Sequence, residues 1–286
     1  MELMKMNCKI IYTNSLFIAL LSAIAALSGL FRKGLYSQET ISMGAQAMGQ
    51  DLATLLLAIP LLLLSLYLVG QKSLKGQMIW MGSVFYFLYT YASLSFLATY
   101  NQLFLVYVAI FSLSLYTFIY GLLSLDASAL KHSIKTGNAT RVAAIFIIVM
   151  ATMLAFMWLN MIIGSLLSGS APAVLETYTT LVVQALDLGV LVPAAIIAGL
   201  LLLKRRSWGY VLTSILIVKI SLLGTAILSM IYFMAQKGVE VVIGQVLFFV
   251  LATVGGIIIA VWFYNKIDSS VYVATTSPKM ALGKGK

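Results

Sequence analysis

The run Ile10–Phe31, IIYTNSLFIALLSAIAALSGLF, is followed at once by Arg32-Lys33, and its reading decides the fold. At a rise of ~1.5 Å per residue it is long enough to cross a hydrocarbon core of ~30 Å. Basic residues precede it, as in a signal peptide. Its length, the Arg-Lys pair behind it and the lack of a small-residue cleavage site favour a retained first span.

Working outward, the same pattern recurs between charged or Gly/Ser/Pro breaks. Spans are expected near residues 11–31, 51–70, 77–99, 103–124, 142–167, 181–203, 208–233 and 241–265. The chain of 286 residues is 62% hydrophobic and 9% charged, with a mean hydropathy of +1.05. Soluble domains carry roughly 25% charged residues, so a water-soluble fold is excluded. The expected fold class is all-α, a polytopic membrane bundle of about eight helices in contact with the lipid bilayer.

Charge sets the orientation. With eight spans, fourteen of the 18 Lys and Arg residues fall on the side of the N-terminus, the even loops and the C-terminus. Only Arg32, Lys33 and Lys237 fall on the other side, and Lys219 lies within a span. The positive-inside rule then puts both termini in the cytoplasm, in a cell's inner membrane. This topology and the anionic inner leaflet account for the net charge of +10, so no nucleic-acid partner is needed.

Two halves follow one plan. The second span has Gln50-Asp51, Pro60 and Lys72, and the sixth has Gln184, Asp187, Pro193 and Lys204–Arg206. Residues 1–124 and 142–265 read as two four-helix halves, joined by a cytoplasmic linker at 125–141 and ended by a polar tail at 266–286. Four spans return the chain to its starting side, so a 4+4 repeat would be parallel, about an axis along the membrane normal.

The chemistry available is narrow. One cysteine, Cys8, and one histidine, His132, leave no dithiol pair and no histidine cluster, so neither a cofactor nor a metal is expected. The sequence contains no P-loop, no Gly-x-Ser-x-Gly and no His-Glu-x-x-His. Asn138-Ala-Thr140 matches a glycosylation acceptor but falls on the cytoplasmic side.

Ionisable groups inside spans are the candidates. Each costs about 2.5–3.5 kcal/mol at mid-membrane on insertion scales and is retained there for a reason. Asp187 lies in the outer part of the sixth span, on one helical stripe with Thr180 and Gln184. If the helix starts early, it is an interfacial residue instead. Lys219 is the one basic residue deep in a span and is expected to reach toward Asp187, which would lower the cost of both charges. The pair reads equally as a structural salt bridge or as a substrate or proton-coupling site. A lone lysine with a carboxylate counter-ion also suggests retinal proteins, but eight spans and no aspartate one turn before the lysine argue against that.

Other positions complete the candidate set. Asp51 is expected to cap the second span. Pro60 and Pro193 are expected to bend their helices. Spans three and four are rich in aromatic and hydroxyl side chains, and Tyr86 and Tyr89 at mid-depth need a partner or a cavity, as does Asn160. A polar cavity lined by Tyr86, Tyr89, Asn160, Gln184, Asp187 and Lys219 is the sharpest expectation, against simple hydrogen bonding between helices.

Gln50-Asp51-Leu52, Ser73-Leu74-Lys75-Gly76, Phe87-Leu88-Tyr89-Thr90-Tyr91, Asn101-Gln102-Leu103-Phe104 and Leu186-Asp187-Leu188-Gly189 carry a resemblance. Over about residues 49–231 the chain resembles a group of uncharacterised prokaryotic multi-pass membrane proteins. That resemblance implies a prokaryotic inner membrane and no assigned activity. The leading expectation is a carrier or channel-like protein for an unidentified small molecule or ion. The alternatives are a non-transporting sensor or assembly factor, and an enzyme acting on a lipid or isoprenoid substrate. Oligomeric state is not legible.

Overall fold

The computed structural model describes residues 8–268. The expected tail at 266–286 therefore lies mostly outside the described residues, as does Lys5. The described part is helical, apart from an isolated bridge between Ile134 and Ile267. Its helices are α1 (Cys8–Phe31), α2 (Ile41–Gly70), α3 (Leu74–Leu97), α4 (Phe104–Leu123), the short α5 (Ala127–Ser133), α6 (Asn138–Ser168), α7 (Val182–Leu203), α8 (Ser207–Gln236) and α9 (Ile243–Tyr264).

Among the described residues, seven helices are long and apolar enough to cross a membrane: α1, α2, α4, α6, α7, α8 and α9. The expected third span, α3, has 24 residues but is not one of the seven. Its tyrosines, serines and threonine dilute its apolar character. It tolerates them because most of the helix, from Leu74 to Leu94, is buried, and polar groups shielded by protein do not meet lipid. α3 packs between α2 and α4 and crosses α8, where Gly82 lies against Val218 and the Ile215 carbonyl. α8 also packs on α2, α7 and α9, so it touches both halves of the chain.

α2 begins ten residues before the expected position. Thr40 supplies its cap, accepting from Met43 N at 3.1 Å. The stretch that follows, Ile41–Gln50, looks loop-like because of its Ser, Gly and Gln, yet Ala45, Ala47, Gly49 and Gln50 are buried. Gly49 permits this, since a Cβ there would strike the backbone of Met230 on α8.

The prolines act differently from simple kinks. Each is the second residue after a five-residue π turn, Thr54–Ala58 before Pro60 and Asp187–Leu191 before Pro193. Ile59 N–H donates to Thr54 O, and Val192 N–H to Asp187 O. A proline ring clashes with the carbonyl four residues back, and the wider turn relieves that clash. Both helices then end alike. Ser73 N donates to Leu68 O at 3.0 Å and Arg206 N to Leu201 O at 2.9 Å, with Lys72 (φ 58°) and Arg205 (φ 52°) left-handed. This is the Schellman arrangement, with a cation where glycine is usual. A positive side chain at a helix C-terminus gains about 0.3–1 kcal/mol from the dipole, which offsets part of the backbone strain. Pro60 and Pro193, Thr54 and Asp187, and Lys72 and Arg205 are all separated by the same 133 positions.

The expected linker at 125–141 is not plain coil. Asp126 caps α5 by accepting from Ser128 N and Ala129 N, each at 3.0 Å. Lys135 N donates to Lys266 O, and Asp268 N to Ser133 O. The linker and the end of α9 are thereby tied together.

Candidate functional site

Asp187 is the first residue of the π turn in α7 and is 5% exposed. α7 starts only at Val182, so the early-start reading of this helix does not hold, and Thr180 is exposed before it. Protein rather than depth buries the carboxylate. Tyr89 of α3 donates its hydroxyl to Oδ1 at 2.6 Å, and Trp158 of α6 donates its indole N–H to Oδ2 at 2.8 Å. Both oxygens are thus held by neutral donors from two other helices.

Lys219 of α8 is fully buried, as expected from its depth. The direct pair with Asp187 is not formed, because Tyr89 stands between them. Lys219 Nζ lies 3.8 Å from the centroid of the Tyr89 ring and 5.9 Å from that of Phe85. It has no hydrogen-bond partner among the described residues. Its interaction is cation–π, which burial strengthens.

Tyr86, one turn before Tyr89, belongs to a second cluster. Its hydroxyl lies 2.9 Å from Thr54 Oγ1 and accepts from Gln50 Nε2, while Gln50 also reaches Thr54 at 3.4 Å. These three groups satisfy one another at the π turn of α2. Tyr86 and Lys219 are separated by 133 positions, as are Thr54 and Asp187. One cluster is built of neutral groups and the other around the ionisable Asp187 and Lys219.

The remaining candidates divide. Gln184 is buried one turn before Asp187, but its side chain is not one of the two donors that hold the carboxylate. Asn160 is exposed on α6 and does not join the cluster. The helix turns it away while Trp158, two residues earlier, faces Asp187. Asp51 is not a cap, since Thr40 already serves α2 and Asp51 lies well inside the helix. It is 3% exposed, accepts from Tyr36 OH at 2.6 Å and lies against Gly29, where a Cβ would collide with its Oδ2. Burial, then the neighbouring Asp51 and Tyr107, push the Tyr36 hydroxyl well above its ordinary range.

At the end of the bundle nearest Asp51, Glu39 clasps three segments. It accepts from Thr99 N at 2.8 Å, Thr99 Oγ1 at 3.0 Å and Tyr178 OH, while Thr40 Oγ1 donates to Glu176. Burial and the bond to Glu39 push the Tyr178 hydroxyl up to about 12. Beside the clasp lies a cleft of about 360 Å³ lined by Arg32, Lys33, Gln38, Glu39, Tyr100 and Asn101 among others. Among the described residues no three of His, Cys, Asp and Glu come together as a metal site.

Sequence reasoning missed Trp158, Tyr36 and the clasp. Trp158 carried a usable signal, an indole N–H away from either end of its helix, where a hydrogen-bond partner is required. A comparison with known protein families, with curated proteins and with solved structures finds no match for this chain.

Proposed function

We propose that this protein moves a small solute or ion across a prokaryotic inner membrane, with Asp187, Tyr89 and Lys219 at the site. The observation that carries the reading is a buried carboxylate at a π turn, one aromatic ring away from a buried lysine with no hydrogen-bond partner among the described residues. π turns inside helices are found frequently at functional sites. Ionisable side chains held within a membrane are retained at a cost that a purely structural helix contact does not require.

In this reading α3 is the eighth span, protected from lipid by its neighbours, and both termini are cytoplasmic. The halves are a parallel duplication. It is supported by the common separation of the π turns, prolines and left-handed cations, and by the shared pairing order of α1–α4 and α6–α9. The outer side then carries Arg32, Lys33 and the Glu39 clasp.

A second reading, a non-transporting protein, is favoured by one observation. Both oxygens of Asp187 are already satisfied, as in a contact that only joins helices. Accessibility separates the two. A Gln184→Cys variant, with Cys8 replaced by serine, places a thiol one turn from Asp187. In a carrier it reacts with a membrane-impermeant methanethiosulfonate in folded, membrane-embedded protein. A thiol that stays unreactive from both sides establishes the packed, structural reading.

A further inference from the structure

Asp187 is hydrogen-bonded at both oxygens, whereas the buried Lys219 Nζ beside it has no acceptor among the described residues. The carboxylate has two oxygens and two donors, Tyr89 and Trp158. The Lys219 side chain has three N–H donors and no acceptor, only the faces of Tyr89 and Phe85. The neutral cluster in the first half shows no such deficit. There Tyr86, 133 positions before Lys219, is met by both Thr54 and Gln50. What is left unmet on Lys219 is therefore its capacity to donate, which calls for an acceptor.

We propose that Lys219 is the binding group for a small monovalent anion, a halide or a short carboxylate. The proposal rests on the transport reading of the same site and names its substrate class. The anion takes the place of the Tyr89 ring face against Nζ, exchanging a cation–π contact for a charge-assisted bond of greater strength. Tyr89 and Trp158 hold the Asp187 carboxylate on the hydroxyl side of the Tyr89 ring, whereas Nζ lies against the ring face. A small ligand is required, since Lys219 and Tyr86 are fully enclosed and Tyr89 is 8% exposed.

A second observation points the same way. Arg32 and Lys33, two of only three cations on the side read as outer, both line the 360 Å³ cleft. The one acid lining that cleft, Glu39, has its carboxylate engaged by Thr99 and Tyr178. Two cations against one carboxylate leave the cleft lining net positive, which concentrates anions there.

The test is anion-dependent stability of the full chain in detergent, with sodium chloride and sodium formate as probes and sodium gluconate at equal ionic strength as the reference. Binding to the folded state alone raises Tm in a saturable way. The proposal expects a rise of several degrees with chloride or formate in the wild type, kept in Lys219→Arg and lost in Lys219→Met. The wild-type titration needs no variant to fold. It is overturned by no anion-specific rise, by an equal rise in Lys219→Met, or by a rise that follows sodium against potassium. It is also overturned if Arg32→Gln with Lys33→Gln abolishes the effect while Lys219→Met keeps it. Binding is read without flux, so failure here is distinct from failure of the transport reading, which vesicles test.

Discussion

Lys219 Nζ stands 3.8 Å from the ring centroid of Tyr89, the same residue whose hydroxyl is bonded to Asp187. One tyrosine therefore separates and connects the two buried charges, with its face toward the cation and its hydroxyl toward the carboxylate. Removing that residue affects both.

Tyr89→Phe keeps the ring face but leaves Asp187 Oδ1 without its donor. Leaving a buried acceptor unsatisfied costs about 1–3 kcal/mol, and more when it is charged. Trp158→Phe is expected to cost a similar amount at Oδ2. Unfolding in detergent should show both losses. Their double variant should depart from additivity, because the two donors share one carboxylate. Additive effects would separate Trp158 and Tyr89 into independent contacts.

Gly29→Ala places a methyl group against the Asp51 carboxylate and the Tyr36 hydroxyl. Overpacking of this kind costs about 1–3 kcal/mol. The double variant Gly29→Ala with Asp51→Ala removes the colliding oxygen and should regain part of the lost stability relative to Gly29→Ala alone. Chemical denaturation in micelles measures both.

How much of this was legible depended on whether a feature is local. The apolar runs, and the depth of Lys219 and Asp187 within them, follow from composition and helical rise. Residues 41–50 fall outside the expected second span because their small and polar side chains suit a loop. They form a helix because Ala45, Ala47 and Gly49 allow close packing on α8, which no local pattern reports. Asp51 was assigned to a cap for the same reason. Asn160 and Trp158 lie two positions apart on one helix, and only tertiary packing decides which of them faces Asp187. The π turns were half legible. Pro60 and Pro193 mark where the helices must deviate, but not that each would be preceded by a π turn.

The clasp at Glu39 predicts a pH dependence. Tyr178 has its hydroxyl raised from 10.0 to about 12, so the folded state keeps a proton that the unfolded state releases. Its contribution is full below pH ~10 and is lost as pH rises through about 12. Tyr178→Phe should therefore flatten part of the fall in stability over that window, as read by thermal unfolding from pH 9 to 12. An unchanged profile would remove Tyr178 from the clasp's energetics.

Topology is tested by single cysteines in a Cys8→Ser background. Impermeant maleimide added outside intact cells should label positions 33 and 101, and should spare 75 and 135 until the membrane is opened. Labelling of 75 and 101 from the same side would mean that α3 does not span, and the eight-crossing arrangement would fall.

The central claim is that the charged cluster at the π turn of α7 serves passage across the membrane. The most direct measurement is solute and ion flux into proteoliposomes holding the purified chain, comparing wild type, Asp187→Asn, Lys219→Met and the loop variant Glu240→Gln. The account predicts flux in the wild type and Glu240→Gln, reduced at least ~10-fold in Asp187→Asn and Lys219→Met, the loss of about 1.4 kcal/mol or more of stabilisation. Equal flux in all four preparations would contradict it.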